Sequence, residues 1–181
     1  MAGPRQEYAI THLCTREQVL ENVEQLSEIL QTCVDEGSSI GFLAPLSTGE
    51  ATQYWTSVSH LVTAGTCFLY ILSSRSPSPR ILGTIQLITI PKITHRHRGE
   101  VVKLLVRPEG RRKGVASALM RHVEVVAKDQ GRELLMLDTA TLSDAMAIYR
   151  NLGWEEWGTC KDYACWPDGS RCDATFFRKE I

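Results

Sequence analysis

The feature that most constrains the fold of this 181-residue chain is a strand–helix–strand unit between Val101 and Thr139. The run "VVKLLV" is apolar and rich in β-branched residues, and the segment from Gly114 to Gly131 carries an apolar stripe at helical spacing. The run "ELLMLDT" then indicates a second strand. Two strands joined through a helix run parallel, whereas strands joined by tight turns run antiparallel. The sequence therefore predicts a parallel pair in an otherwise antiparallel sheet.

The N-terminal half predicts a short strand, "EYAITHL", and two helices. Thr15, with a glutamine three residues later, forms a capping box at the start of a long helix that Gly37 ends. Ser47, followed by Glu50, caps a second helix that runs to about Ala64. These elements precede the hairpin and the strand–helix–strand unit.

The remaining elements are two hairpins and a short helix. The runs "TCFLYIL" and "ILGTIQLITI" flank the polar loop 73–80, and "SDAMAIYRNLG" is a short helix before a final hairpin that turns at 167–169. The predicted order is β-α-α-β-β-β-α-β-α-β-β, with four helices. A chain of this length holds one core, so we expect a single domain, 1–181, in which residues 1–6 form a flexible N-terminus.

Composition limits the partners. The net charge is −1, and the acidic and basic residues are mixed along the chain, so no nucleic acid or membrane partner is expected. No apolar run reaches spanning length, no leader is evident, and the six cysteines form no CxxC pair. We therefore expect a cytoplasmic protein with reduced thiols, the alternative being a disulfide between Cys165 and Cys172. His95 and His97 lack a third ligand, and no metal site is expected.

The segment "RPEGRRKG" places three cations at the start of a helix, where the helix dipole already makes the site positive. A solvated charge run is disfavoured there, because cations destabilise a helix N-terminus unless an anion offsets them. The segment matches neither a Walker loop nor a dinucleotide fingerprint. Free backbone N–H groups beside Arg112 and Lys113 would bind a diphosphate.

The run "RRKGVA", after "LLV" and a proline and with "AIYRNLGW" downstream, resembles the R/Q-x-x-G-x-G/A signature of the GNAT N-acetyltransferases. The resemblance implies an α/β (α+β) fold: a mixed, mostly antiparallel seven-stranded sheet whose central parallel pair splays around coenzyme A, with four helices. One departure is Leu142-Ser143, where many members carry an asparagine. The resemblance assigns pantetheine contacts to Leu104, Leu105 and Val106. It assigns the pyrophosphate of acetyl-CoA to Arg112, Lys113, Gly114, Val115, Ala116 and Ser117, and Arg111 is a further cofactor-binding cation that strengthens the site.

Three blocks, "HRGEVVKLLVRPEGRRKG", "LLMLDT" and "YACWPDGSRCDATFF", are similar to the tabtoxin-resistance acetyltransferases over the C-terminal half. This resemblance implies that Glu100 and Asp138 act as catalytic bases. The alternatives are a surface pair between Glu100 and Arg96 or Arg98, and a helix cap for Asp138. A regular parallel pair would place Glu100 beside residue 133, which leaves Asp138 roughly 16 Å away along the sheet.

The family also implies that Tyr149, on the short helix, is the general acid for the departing thiolate, although a tyrosine on an apolar face is usually part of the core. It builds the acceptor pocket from the loop between the first two helices and the final hairpin. The candidate substrate-binding residues there are Phe42, Trp55, Tyr163 and Trp166, and ordinary packing explains them equally well.

The expected function is acetyl-CoA-dependent N-acetylation of a small, amino-acid-like or toxin-like amine, by a monomer or homodimer. Two candidate carboxylates beside the acceptor suggest a cationic or amino-acid-like molecule. The alternatives are acetylation of a protein N-terminus or lysine, and a non-catalytic acyl-CoA-binding module.

Overall fold

The computed structural model describes residues 8–75 and 77–181, so the predicted flexible N-terminus, residues 1–6, lies outside the described residues. The strands are β1 (Tyr8–Leu13), β2 (Cys67–Ser74), β3 (Ile81–Thr89), β4 (Arg98–Val106), β5 (Leu134–Ala140), β6 (Glu155–Cys165) and β7 (Arg171–Glu180). The helices are α1 (Arg16–Glu21), α2 (Val23–Asp35), α3 (Thr48–Thr63), α4 (Val115–Asp129) and α5 (Ala145–Asn151).

The strands form one seven-stranded sheet in the order β1-β2-β3-β4-β5-β7-β6. Only the β4–β5 pair in this sheet is parallel, and its other neighbouring strands are antiparallel. The predicted mixed sheet with a central parallel pair is confirmed. Among the described residues, no helix is both long and apolar enough to cross a membrane.

The helix predicted to begin after Thr15 is divided in two at Asn22. The capping box of Thr15 and Gln18 forms as predicted, and so does the one at Ser47 that starts α3. The side-chain amide of Asn22 donates to the Gln18 carbonyl at 2.9 Å, and the backbone N–H of Asn22 donates to the Val19 carbonyl at 3.2 Å. An asparagine that competes for backbone partners interrupts a helix in this way. The described residues therefore form five α-helices rather than the predicted four.

The helices cover both faces of the sheet, because successive side chains of a strand point to opposite sides. Leu69 and Ile71 of β2 pack in the core under α1, α2 and α3, which we call the front face. Tyr70 and Leu72, one residue out of step, pack with α4 and α5 on the back face. The sheet thus separates two cores.

A β-bulge in β4 changes this alternation. Val101 packs on the back face, whereas Leu105, four residues later, packs on the front face. In the bulge, β4 has one residue more than the paired stretch of β3. The bulge is centred on Lys103, whose backbone is left-handed, with φ of 52°. The buried hydroxyl of Thr84 donates to the Lys103 carbonyl at 3.0 Å and holds the bulge.

The parallel pair is short. β4 and β5 pair at three positions, from Arg98 opposite Leu134 to Glu100 opposite Met136, and then part. Beyond Glu100, β4 stays paired with β3 on its other side as far as Val106. The edge of β4 that faces β5 is therefore open from the bulge onward.

Candidate active site

The loop between β4 and α4 forms a cradle of backbone N–H groups, residues 112–117. Arg112 and Gly114 both have left-handed backbones, with φ of 57° and 79°, and Gly114 is the N-cap of α4 without a side-chain cap. The first backbone bond into the helix comes from Ala118 to the Gly114 carbonyl at 2.9 Å. The backbone N–H groups of residues 112–117 donate to no backbone carbonyl among the described residues. Such a nest of free donors binds an anion.

The three cations beside this cradle differ in their partners. The Arg111 guanidinium pairs with Glu36 at the end of α2 and donates to the Val106 carbonyl at 3.3 Å. Its backbone N–H is also used, since it donates to Pro108 at 3.1 Å. Arg112 and Lys113 are exposed, and neither forms an ion pair with any described residue. Arg111 therefore fastens the loop to α2, while Arg112 and Lys113 remain available to a ligand.

The open edge of β4 leads from the bulge to the cradle. Leu105 is buried in the front core, and the side chains of Leu104 and Val106 pack against the back core. Because these side chains point above and below the sheet, the edge of β4 that faces β5 consists of backbone N–H and C=O groups. The three residues predicted to contact pantetheine therefore lie where β4 has no partner strand on the β5 side.

Glu100 and Asp138 lie on the same face of the sheet. Glu100 stands opposite Met136 in the parallel ladder, and Asp138 follows Met136 by two residues, so all three side chains point to the front. Two residues of strand span roughly 7 Å. The predicted pairing of Glu100 with residue 133, and the large separation that it implied, are therefore wrong, because the register is shifted by three residues.

The two carboxylates have different surroundings. Glu100 lies 3.9 Å from Arg98, a long contact, and its side chain is 43% exposed. Asp138 makes no hydrogen bond with any described residue, and α5 begins at Asp144 without a side-chain cap, so Asp138 is not a helix cap. Asp138 is exposed, but the residues around it still desolvate its carboxylate and raise its pKa, and the charge of Lys103 opposes this by lowering it.

Tyr149 is a core residue of α5 that lies within electrostatic reach of Asp138. Its ring packs against Phe177 and Trp154, with centroids 5.4 and 6.2 Å apart. Burial raises the pKa of Tyr149 and the Asp138 charge raises it further, so the phenol stays protonated at neutral pH. Its hydroxyl has no hydrogen-bond partner among the described residues. A phenol that stays protonated and has no other partner is able to donate a proton.

Lys103, which the sequence patterns did not single out, reaches the same region from the bulge. Its Nζ donates to the Ile40 carbonyl at 2.8 Å and lies 5.7 and 5.5 Å from the ring centres of Phe42 and Tyr54. Burial lowers the pKa of Lys103, and the Asp138 carboxylate raises it. The one signal in the sequence was a lone cation inside an apolar strand.

The candidate substrate-binding aromatic residues divide into those beside Lys103 and those in the core. Phe42 is half-buried and meets Tyr54 edge-on at 5.3 Å, beside Lys103. Trp55 has no exposed surface and packs in the front core, so its prediction as a pocket residue is wrong. The adjacent Tyr54 takes that place, because a step of one residue on a helix turns the side chain by about 100°.

The final strands, β6 and β7, contribute a second group of aromatic side chains. Phe176 stands directly across from Asp138 in the β5–β7 ladder, and Tyr163 packs edge-on against Phe176 at 5.1 Å. Trp166 is half-buried and is the first residue of the β6–β7 turn, where its backbone N–H donates to the Ser170 carbonyl at 2.8 Å. Aromatic side chains thus lie beside Asp138, at Phe176, and beside Lys103, at Phe42 and Tyr54. Phe176 was missed because its position depends on strand register.

The segment between α2 and α3 crosses to the last hairpin. Ala44 donates to the Pro167 carbonyl at 2.8 Å, and the Ser39 hydroxyl donates to the Cys165 carbonyl at 2.7 Å. Cys165 and Cys172 are not bonded, and they stand one register position apart, Cys165 exposed and Cys172 buried. No group of three or more His, Cys, Asp or Glu side chains is arranged for a metal in the part of the chain that the structure describes.

Comparison with known proteins places these features in a family. The sequence profile of the acetyltransferase (GNAT) family matches residues 24–154. N-acetyltransferase 8 from Homo sapiens is 34% identical over 102 residues, and N-acetyltransferase 8B from the same organism is 33% identical. Each match covers 55% of this chain and 43% of the human protein, so the chain spans less than half the length of these relatives.

Solved structures share the fold at low identity. The ribosomal-protein-alanine N-acetyltransferase from Brucella melitensis superposes with a TM-score of 0.76 and 18% identity, covering 96% of this chain and 99% of that protein. The protein yncA from Salmonella typhimurium, solved with its cofactor acetyl-CoA, superposes with a TM-score of 0.74 and 14% identity, covering 96% and 94%.

Proposed function

Because the chain belongs to the acetyltransferase (GNAT) family, we propose that it is an acetyl-CoA-dependent N-acetyltransferase that acetylates a small, amino-acid-like or toxin-like amine. One observation carries the proposal. The open edge of β4 connects the cradle of free N–H groups at α4 with a face that presents Glu100 and Asp138. A diphosphate bound at one end and an amine at the other would meet along this edge.

The coenzyme would be held mainly by backbone. The free N–H groups of residues 112–117 suit the pyrophosphate, and the side chains of Arg112 and Lys113 add positive charge. The pantetheine would lie along Leu104, Leu105 and Val106, where β4 lacks a neighbour. The coenzyme supplies an acetyl thioester, and the chain provides its binding and orientation. Arg111 contributes by fastening the loop through Glu36.

The residues at the acceptor end would remove a proton from the amine and supply one to the leaving sulfur. An amine must be neutral to attack, so Glu100 or Asp138 takes its proton. The new C–N bond replaces the C–S bond of the thioester, and the Tyr149 hydroxyl donates a proton to the sulfur that leaves. Desolvation by the surrounding residues raises the pKa of Asp138, so it binds a proton more readily than a free aspartate does. The same roles are implied by the likeness of the C-terminal half to the tabtoxin-resistance acetyltransferases, a subgroup to which we assign the chain as part of this proposal.

The test is thiol release from acetyl-CoA with a panel of acceptors: free amino acids, simple alkyl amines, peptides with free N-termini, and peptides with lysine. The proposal expects turnover with amino acids and little with peptides. Turnover only with peptides would identify a protein acetyltransferase instead. Acetyl-CoA binding without turnover on the whole panel would identify a binding module.

Asp138→Asn is the matched variant for this assay, with Asp129→Asn, exposed at the end of α4, as its control. We expect Asp138→Asn to lower turnover at least about tenfold, whereas Asp129→Asn keeps the wild-type rate. At neutral pH the Asp138→Asn protein should melt no lower than wild type. Burial raises the pKa of this carboxyl, so the folded state disfavours the charge that the substitution removes.

We further propose that the enzyme works in the cytoplasm as a monomer or homodimer. All six cysteines are free, as in proteins of a reducing compartment. Light scattering on the purified protein measures the oligomeric state directly.

A further inference from the structure

Lys103 carries a partly buried charge that forms no direct ion pair with any described residue. Its Nζ has one hydrogen-bond acceptor, the Ile40 carbonyl at 2.8 Å, although an ammonium has three donors. No carboxylate of the described residues comes within 4.0 Å of it, and Asp138 acts on it only from farther away. A buried charge without a partner is costly, so this arrangement needs a reason.

Two aromatic rings and a carbonyl stabilise this ammonium without neutralising it. The faces of Phe42 and Tyr54 attract the cation, and the Tyr54 hydroxyl is itself held by Gln86 at 3.0 Å. The rings and the bulge therefore fix where the charge stands. Its two remaining N–H groups are not used by any described residue, and the charge lies on the face that carries Asp138.

Resting on the proposed function, we infer that Lys103 is a specificity-determining residue that binds the carboxylate of the acceptor. The acceptor is then a zwitterion of the α-amino acid type, whose carboxylate pairs with Lys103 while its amine faces Asp138 and Glu100. A positive side chain and negative side chains on one face complement the two charges of such a molecule. A purely cationic amine, which the two carboxylates alone would also accept, is disfavoured because Lys103 repels it.

The side chain of the acceptor would lie among the aromatic residues of this face, namely Phe42 and Tyr54 beside Lys103, and Phe176 with Tyr163 beside Asp138. Phenylalanine is therefore the probe of choice. Its amide keeps the amine and the ring and removes the negative charge, so the pair isolates the carboxylate.

The experiment compares kcat/KM for phenylalanine and phenylalanine amide in wild type and in Lys103→Met. We expect wild type to prefer the acid, and Lys103→Met to lose about 10- to 100-fold on the acid and much less on the amide, mainly through KM. Lys103→Arg, which keeps the charge, should retain the preference for the acid. Lys128→Met, exposed on α4, is the control and should match wild type. The left-handed backbone at Lys103 strains methionine and arginine as it strains lysine, so the strain does not separate the variants.

An equal loss on the acid and the amide would overturn the inference and make Lys103 only a tie between β4 and the segment at Ile40. Failure of the acetyltransferase proposal looks different, because neither phenylalanine nor its amide would then react. Binding of 3-phenylpropanoate, measured by calorimetry on the protein saturated with coenzyme A, decides the role of Lys103 in that case. Binding at least about tenfold weaker in Lys103→Met supports the carboxylate site, and unchanged binding rejects it.

Discussion

The two ends of the candidate site are built from different parts of the chain. The cradle at α4 consists of the backbone of residues 112–117, one uninterrupted segment. The acceptor face consists of side chains from β4, β5, α3 and β7, which are far apart in sequence: Lys103, Asp138, Tyr54 and Phe176. Backbone donors are the same whatever the side chain, whereas side chains can change one at a time. The fixed cradle therefore suits a shared coenzyme, and the variable face suits an acceptor that differs between family members.

This contrast makes its strongest prediction at Glu100. If the acceptor face acts on the amine alone, Glu100→Gln should lower kcat by about 10²–10⁴-fold, the usual loss when a general base is removed. Acetyl-CoA affinity should not change, because the cradle lies at the other end of β4. Steady-state rates from pH 6 to 9, together with calorimetry for acetyl-CoA, measure both. Wild-type turnover across this range would show that Glu100 is only a surface partner of Arg98.

Tyr149, in the back core within electrostatic reach of Asp138, gives the next largest effect. Tyr149→Phe keeps the ring and its packing, so the free energy of unfolding should change by about 1 kcal/mol, the size of one hydrogen bond, or less. The chemical step should still slow by about 100-fold in single-turnover measurements. Tyr149→Ala leaves a cavity beside Phe177 and should cost about 3 kcal/mol or more in unfolding free energy. If the phenylalanine variant reacts at the wild-type rate, Tyr149 has a packing role alone.

Gly114 tests the cradle with the smallest expected effect. Gly114→Val should weaken acetyl-CoA binding by at least about tenfold, roughly 1.4 kcal/mol, because a side chain there obstructs approach to the free N–H groups. Gly131 is a matched control, since it too has a left-handed backbone, with φ of 71° against 79°, and open space where a Cβ atom would stand. Gly131→Val should cost similar folding stability and leave the affinity unchanged. Normal binding by a folded Gly114→Val protein would reject the cradle as the diphosphate site.

The sequence predicted the cradle and most elements because their signals are local. A capping box needs residues three apart, and both boxes form as predicted at Thr15 and Ser47. The glycine at 114 and the cations before it are likewise contiguous. The split at Asn22 was missed because an asparagine inside a helical pattern competes with the backbone only when its side chain turns inward.

The acceptor face was harder to predict because it depends on register. The bulge at Lys103 is held by Thr84 of β3, so the direction of the Lys103 side chain is not encoded near residue 103. The shift of three residues between β4 and β5 decides that Asp138 lies only two residues beyond the partner of Glu100, on the same face, and no short motif specifies it. Choosing Trp55 over Tyr54 was a related error, since the face of α3 that meets the site depends on how the helix packs.

The shortness of the parallel ladder has a consequence for how the molecule comes apart. The N-terminal block, β1 to β4, and the C-terminal block, β5 to β7, share only three paired positions, whereas β5 and β7 share seven. Few backbone bonds cross this seam, so it is a natural boundary between two units of local unfolding. A molecule lodged in the gap would touch both blocks, and it would join them into one cooperative unit. The bound coenzyme would then stabilise the folded structure as well as react. Hydrogen exchange of the backbone amides should therefore slow in both β4 and β5 when the coenzyme binds.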